Sequence, residues 1–332
     1  MAVPFKNKVI HGGFGKRHHE KTHKNVLDFS ASTNPCPPGV SWKCDPFHLE
    51  HYPDDNYTQL KEVIAHTFNR DVEEICVGNG SMELIRVFCH VAFTEQETFY
   101  TETPTFGEYE FSAQLAGGIK VHDMSDADIR FICNPNNPTG TLRSKDAMLS
   151  LLHDIGNPDG ILCADEAFIE LADPKESLVD VRDDHLIVLR SLTKCFSVPG
   201  LRFGYGFGEP DLMMRMEAMR PPWSVNAYAE AFALRAFSHY HELEESRRFI
   251  GRERAWLYEH LCALGLHCLP SSANFLLIDT ARQADILCKK LQTFDILVRD
   301  CTSFGLPTTI RVAVRTRDEN RCLLEALFAC LR

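Results

Sequence analysis

Apolar positions along the chain follow two alternating rhythms. Unbroken apolar runs of strand length start near residues 75, 98, 129, 160, 186 and 202, while stretches between several of them repeat apolar residues every three to four positions. The clearest helical repeat covers 57–68, with Leu60, Val63, Ile64 and Phe68 on one side, and 82–90 is predicted as a second helix. Strands alternating with helices from 75 to 208 predict an α/β layer built on a mainly parallel central sheet flanked by helices. In the run 202–208 glycines alternate with aromatics, as in a strand whose backbone something approaches closely. One connection breaks the rhythm. Residues 125–128 are too few for a crossover helix between 121–124 and the strand at 129, so a compact loop or a trimmed sheet edge is expected.

Past Pro221-Pro222-Trp223 the pattern turns helical, with one long helix predicted from about 227 to 263. Short strands follow at 272–279, 296–301 and 309–315, with helices at 281–291 and from 318 onward, which makes a smaller α+β unit. The division expected is an N-terminal arm (1–38), a large domain (39–225), and an interdomain helix with a small C-terminal domain (226–332).

In an open parallel sheet, ligands bind at the C-terminal ends of the strands. Polar turns stand at those ends here. Gly78-Asn-Gly80-Ser81 leads into a helix N-terminus, a geometry that presents free backbone N–H groups to an anion. Asp165 ends a buried strand and needs a cationic or protonated partner. Ser191-Leu-Thr-Lys194 places a lysine between two strands, where desolvation would lower its pKa and free a nucleophilic amine. Arg202, eight residues later, could join Ser191 on a phosphate. Singly, each feature is also met by an ordinary cap, ion pair or surface loop.

Composition narrows the function classes. Hydrophobic content of 44% and charged content of 24% fit a soluble globular protein, and a net charge of −11 with no basic run gives a nucleic-acid role no support. An acidic exterior makes any anionic substrate depend on a local arginine cluster. The 13 cysteines are scattered, odd in number and without Cys-x-x-Cys spacing, so neither zinc nor a redox dithiol is indicated and no metal is expected. Reduced thiols, the absence of a signal-like start and the absence of a span-length apolar stretch predict a soluble, cytoplasmic protein.

With Asn134-Pro-Asn-Asn137-Pro-Thr-Gly140, Asp165-Glu-Ala-Phe168 and Ser191-Leu-Thr-Lys194…Arg202-Phe-Gly204 in this order, the chain resembles the class I/II aminotransferase superfamily of pyridoxal-phosphate enzymes, fold type I. The similarity covers nearly the whole chain. It implies that Lys194 forms an imine with the cofactor aldehyde, that Asp165 pairs with the protonated ring nitrogen, that Asn137 donates to the ring hydroxyl and that Phe106 stacks on the ring. Gly80, Ser81, Ser191 and Arg202 match the phosphate-binding set, with Met82 and Phe168 also counted as cofactor-binding. Many relatives have tyrosine where Phe168 stands, so one hydroxyl donor is missing. Tyr52 resembles a tyrosine that reaches the neighbouring subunit's cofactor phosphate, which implies a homodimer.

Within the superfamily the nearest resemblances are to histidinol-phosphate aminotransferases and to the threonine-phosphate decarboxylases of cobalamin biosynthesis. His11-Gly-Gly, residues 27–38, Asp165-Glu-Ala-Phe168 and the segment from Val298 through Arg311 to Thr316 look like the decarboxylases. That likeness implies loss of CO2 from L-threonine O-3-phosphate to give (R)-1-amino-2-propanol O-2-phosphate. Serine phosphate, a histidinol-phosphate aminotransferase activity using 2-oxoglutarate, and a binding protein without turnover remain as alternatives. Arg299 and Arg311 are the candidates for the substrate's phosphate and carboxylate, followed by Arg315, His11 and Asn34.

Overall fold

A computed structural model describes residues 8–23, 25–93 and 96–331. Its main sheet has seven strands: β2 (Ile75–Gly78), β3 (Thr98–Thr101), β4 (Ile119–Lys120), β5 (Ile129–Cys133), β6 (Ile161–Asp165), β7 (Leu186–Ser191) and β8 (Gly204–Phe207). The order is β2-β8-β7-β6-β5-β3-β4, with β8 antiparallel to both neighbours and all other pairs parallel. The expected mainly parallel sheet is therefore present.

Helices cover both faces, which explains why the strand runs are continuously apolar rather than alternating. Ile187 and Leu189 of β7, with Cys163 of β6, pack under the helices Ser81–Ala92, Glu108–Leu115 and Pro210–Met219. Leu186 and Val188, with Leu162 and Ala164, face the helices Thr58–Phe68 and Ala227–Ala236 on the opposite side. This parity decides which charged residues at the strand ends reach which face.

The glycines of β8 admit neighbouring chain rather than ligand. A Cβ on Gly204 would lie 2.2 Å from the Ser81 backbone nitrogen, so only glycine lets the turn at 80–81 sit against this strand. The short link before β5 is a compact 3₁₀ turn (Met124–Asp126) that returns from edge strand β4, across β3, to β5.

The predicted long helix is divided. Residues Ala227–Ala236 and Leu243–Ala263 are α-helical, and Phe237–Glu242 between them winds as 3₁₀. Phe-Ser-His-Tyr-His has low helix propensity, Ser238 bonds back to the Arg235 carbonyl at 2.7 Å, and the tighter turn seats Tyr240 on Glu170, also at 2.7 Å.

The smaller unit is a four-stranded antiparallel sheet ordered β12 (Arg299–Asp300), β13 (Thr309–Ala313), β10 (Phe275–Asp279), β9 (His267–Cys268). Part of the N-terminal segment packs beside it: β1 (Leu27–Asp28) pairs in parallel with β11 (Ile296–Leu297) as a separate two-stranded sheet. Phe29 is fully buried there among Leu276, Ile310 and Val312, and the apolar burial fixes the segment in place.

Candidate active site

Lys194 sits in a one-turn helix, Leu192–Cys195, that opens directly from the end of β7. Ser191 caps the turn, accepting from the Thr193 N–H at 3.3 Å and pairing with its hydroxyl at 2.8 Å. Asn34 holds it from the other side: its N–H donates to the Lys194 carbonyl at 2.9 Å and its side-chain amide to the Cys195 carbonyl at 2.7 Å. The lysine amine points toward Phe168, 5.9 Å from the ring centroid. Burial, and then the positive charges of Arg311 and Arg202, bring its pKa down from 10.5 to about 8.

Asp165 ends β6, the strand paired with β7, and is buried. Burial raises its pKa, against which the Tyr109 hydroxyl donates to Oδ2 at 2.7 Å and the Ala167 N–H to Oδ1 at 3.0 Å. Among the described residues no cation lies within 4.0 Å of this carboxylate.

A cup for an anion forms where the helix Ser81–Ala92 begins. Gly80 precedes it at φ 75°, and a Cβ there would come 2.3 Å from the Arg202 guanidinium, so glycine is required for backbone and arginine to converge. Ser81, Met82, Ser191, Thr193 and Arg202 share the lining of one cavity of about 470 Å³ with Lys194, Asp165, Phe106, Asn137 and Phe168. That volume is in the usual range for a cofactor site. Phe106 reaches it from a loop tied to the Asn-Pro turn, where Thr105 donates to the Asn136 side chain at 2.7 Å and Asn136 donates to the Pro104 carbonyl at 3.0 Å.

Two more buried arginines line the same space. Arg311 of β13 donates to Asn137 Oδ1 and to the Ser30 carbonyl at 3.3 Å, lies 4.9 Å over the Phe275 ring and has an unpartnered Nε. Its burial lowers the pKa to about 10. Arg299 of β12 donates to the Ile10 carbonyl and to Ser303, each at 2.7 Å. His11 stands on the rim, bonded at 2.8 Å to the buried Glu108, which Arg86 also contacts at 3.4 Å. Residues 9–13 and 30–33 complete the wall around them.

The cavity thus gathers Ser81, Met82, Phe106, Asn137, Asp165, Phe168, Ser191, Lys194, Arg202, Arg299, Arg311 and His11, with Gly80 against Arg202. Besides Gly80, three predicted residues do not line it. Asn34 acts on the Lys194 turn as described. Arg315 pairs with Glu319 one helical turn away, at 3.0 Å from its Nε, and covers Phe29. Tyr52 is 80% exposed and stacks on Trp223 at 4.4 Å, outside this chain's own cavity. Residues not singled out in advance are Tyr109, Thr193, Ser30, Ser303 and Phe304. Thr193, Ser30, Ser303 and Phe304 fall within stretches already quoted for their motifs, and Tyr109 left a trace of its own, being three residues after Phe106 and so on the same side of a helical turn.

Whether these groups suit pyridoxal phosphate follows from what they lack. A buried carboxylate without a cation, an amine with a depressed pKa, and an arginine beside a glycine-lined helix N-terminus are complementary to a ring N–H, an aldehyde and a phosphate respectively. They fit. Among the described residues no group of three or more His, Cys, Asp or Glu is placed to hold a metal, and no helix is long and apolar enough to cross a membrane.

Comparison with known proteins agrees. A histidinol-phosphate aminotransferase from Symbiobacterium thermophilum is 33% identical over 298 residues, covering 84% of this chain and 82% of that protein. A protein provisionally named threonine-phosphate decarboxylase, from Caldanaerobacter subterraneus subsp. tengcongensis, is 35% identical over 320 residues, covering 88% of this chain and 86% of its own length. The crystal structure of the Sinorhizobium meliloti histidinol-phosphate aminotransferase in complex with pyridoxal-5'-phosphate superimposes with a TM-score of 0.84 at 18% identity, over 100% of this chain and 96% of the other. Residues 48–327 match the family described as aminotransferase class I and II. The chain is a pyridoxal-phosphate-dependent enzyme of the fold type I architecture and belongs to the aminotransferase class I and II family.

Proposed function

We propose that the enzyme decarboxylates L-threonine O-3-phosphate, yielding CO2 and (R)-1-amino-2-propanol O-2-phosphate for cobalamin biosynthesis. The observation that carries this reading is the pair Arg299 and Arg311. Both are buried, and among the described residues neither has a carboxylate within 4.0 Å, although Arg202 already serves the anion cup. Two further uncompensated cations call for a substrate with two anionic groups. Threonine phosphate has a carboxylate and a phosphate; histidinol phosphate has only the phosphate, so the aminotransferase reading would use both arginines only for its dicarboxylate partner, 2-oxoglutarate. The 35% identity to the provisionally named decarboxylase supports the same choice.

The residue roles follow. Lys194 would carry the cofactor aldehyde, Asp165 its ring N–H, Phe106 one ring face, and Ser81, Ser191, Thr193 and Arg202 its phosphate. Asn137, whose Oδ1 accepts from Arg311, keeps its amide hydrogens for the ring oxygen. When bound, pyridoxal phosphate supplies an electron sink for the pair left at the substrate α-carbon. Arg299 and Arg311 would then select the reaction by fixing which substrate group can depart: with the carboxylate as that group, CO2 would leave and its bonding pair would pass to the sink. Lys194, with a pKa near 8, is suited to return a proton to the α-carbon.

A homodimer is part of the proposal: Tyr52 would reach a second copy's phosphate cup, and it is exposed beside the exposed Trp223. All thirteen cysteines are free thiols, which suits a cytoplasmic setting.

The second reading, a histidinol-phosphate or related aminotransferase, is favoured by the 33% identical relative. Serine phosphate differs from threonine phosphate by a methyl group worth only about 1–3 kcal/mol. An assay with threonine phosphate, serine phosphate and histidinol phosphate, with and without 2-oxoglutarate, decides among them. CO2 release from threonine phosphate without any keto acid is expected. Turnover strictly dependent on 2-oxoglutarate would overturn the decarboxylase and establish the second reading.

A further inference from the structure

A carboxylate in a dry wall keeps its charge only if fixed donors compensate for the lost water. Asp165 has two. One is the Ala167 N–H, supplied by the backbone whatever the side chains. The other, the Tyr109 hydroxyl at 2.7 Å from Oδ2, comes from a side chain 56 residues away in sequence.

Tyr109 has little freedom to do anything else. It is 1% exposed, stacks on Phe131 of β5 at 5.6 Å with ring planes 10° apart, and meets the edge of Phe106 at 5.5 Å. The titratable groups around the pair are Lys194 from the turn after β7, Cys133 at the end of β5 and, farther behind, Glu170. Burial pushes the Cys133 thiol up, so it stays neutral, and burial likewise keeps the Tyr109 phenol protonated and hence a donor. Glu170 adds negative charge and works against ionisation of Asp165.

We propose that Tyr109 is a positioning residue that keeps Asp165 ionised and aimed into the cavity, and so sets how firmly the cofactor's ring nitrogen holds its proton. Without the hydroxyl, Oδ2 is left unsatisfied and the carboxylate becomes a stronger base. The shared proton then moves toward Asp165, and the ring loses charge. A stronger donor has the opposite effect. Ring charge in turn makes the attached Lys194 nitrogen less basic, so the pH midpoint of the holoenzyme's visible absorbance reports on the Tyr109 bond.

The test replaces Tyr109 with phenylalanine and, separately, with 3-fluorotyrosine, a nearly isosteric and stronger donor. In Tyr109→Phe the midpoint is expected to rise by about one pH unit, and the dissociation constant for pyridoxal phosphate to increase about tenfold, the scale of one hydrogen bond to a charged group. In the fluorotyrosine protein the midpoint is expected to fall. Unchanged midpoint and affinity in Tyr109→Phe, or shifts of the same sign in both proteins, would show that the residue only fills space. Should Tyr109→Phe fail to fold, the fluorotyrosine protein decides alone: a fall supports the role and no movement removes it.

Discussion

The ends of β6 and β7 carry charged residues to both faces of the sheet, and the two faces treat them in opposite ways. On the face toward the helices Thr58–Phe68 and Ala227–Ala236, Arg190 meets Glu166 at 3.0 Å and Glu170 at 2.9 Å, with Tyr240 at 2.9 Å on the same guanidinium. Burial opposes the charge of Arg190, but Glu170, Tyr240 and Glu166 together hold its pKa above the ordinary arginine value. On the cavity face, Asp165 next to Glu166 and Lys194 in the turn after β7 are not matched: the amine's pKa falls, and that of the carboxyl rises. Completed pairing gives a scaffold; withheld pairing leaves charges to be satisfied by what binds.

Substitutions on the two faces should therefore fail differently. The largest effect is expected from Lys194→Ala, which removes the amine proposed to bond the cofactor: kcat should fall by about 10⁴-fold or more, and the purified protein should lose its borohydride-reducible visible absorbance. An active, coloured Lys194→Ala protein would end the assignment of the cavity face.

On the scaffold face, Arg190→Met leaves two buried carboxylates without their cation and should lower stability by about 3–5 kcal/mol, read as a drop in the urea midpoint. Arg311→Met is the counterpart. Having no carboxylate partner, it should change stability by no more than about 1 kcal/mol, while kcat/KM for the proposed substrate, threonine phosphate, falls by about 30-fold or more, the scale of removing one member of a buried charge pair. If both variants lost stability equally, the contrast between the faces would collapse.

The smallest effect is in the pH dependence of the cofactor-free protein. The folded state binds Lys194's proton less tightly than the unfolded state does, so between pH 8 and 10.5 the unfolded chain holds more protons and stability rises with pH. Below that window the cost of charging the buried amine is present in full. Thermal midpoints of the native protein and Lys194→Met across pH 7–10 should converge toward the alkaline end. A difference that widens with pH would contradict a depressed lysine.

Much of this site was legible in one dimension because strand-end turns are local. The glycines at 78 and 80, the carboxylate after an apolar run and the lysine after a serine announce themselves in short stretches whose backbone geometry is determined nearby. The β-rich core was legible for the same reason: residues such as Ile187 and Val188, apolar on both parities, can only belong to a sheet covered on two sides. The division of the helix at 237–242 was not, because it depends on Tyr240 finding Glu170, 70 residues earlier.

By itself, then, the amino-acid order determined the α/β alternation, the polar turns at the strand ends and the resemblance to a cofactor family. Tertiary structure alone decided that Tyr109 serves Asp165, that residues 9–13 wall the cavity beside Arg299, and that Arg315 turns away to Glu319 while Arg311, four positions earlier on β13, turns in. The physical reason is that a charged side chain's role depends on which partner lies within about 4 Å, where unscreened electrostatic attraction and hydrogen bonding act. Such distances between remote segments are set by strand order and packing, to which no local pattern gives access.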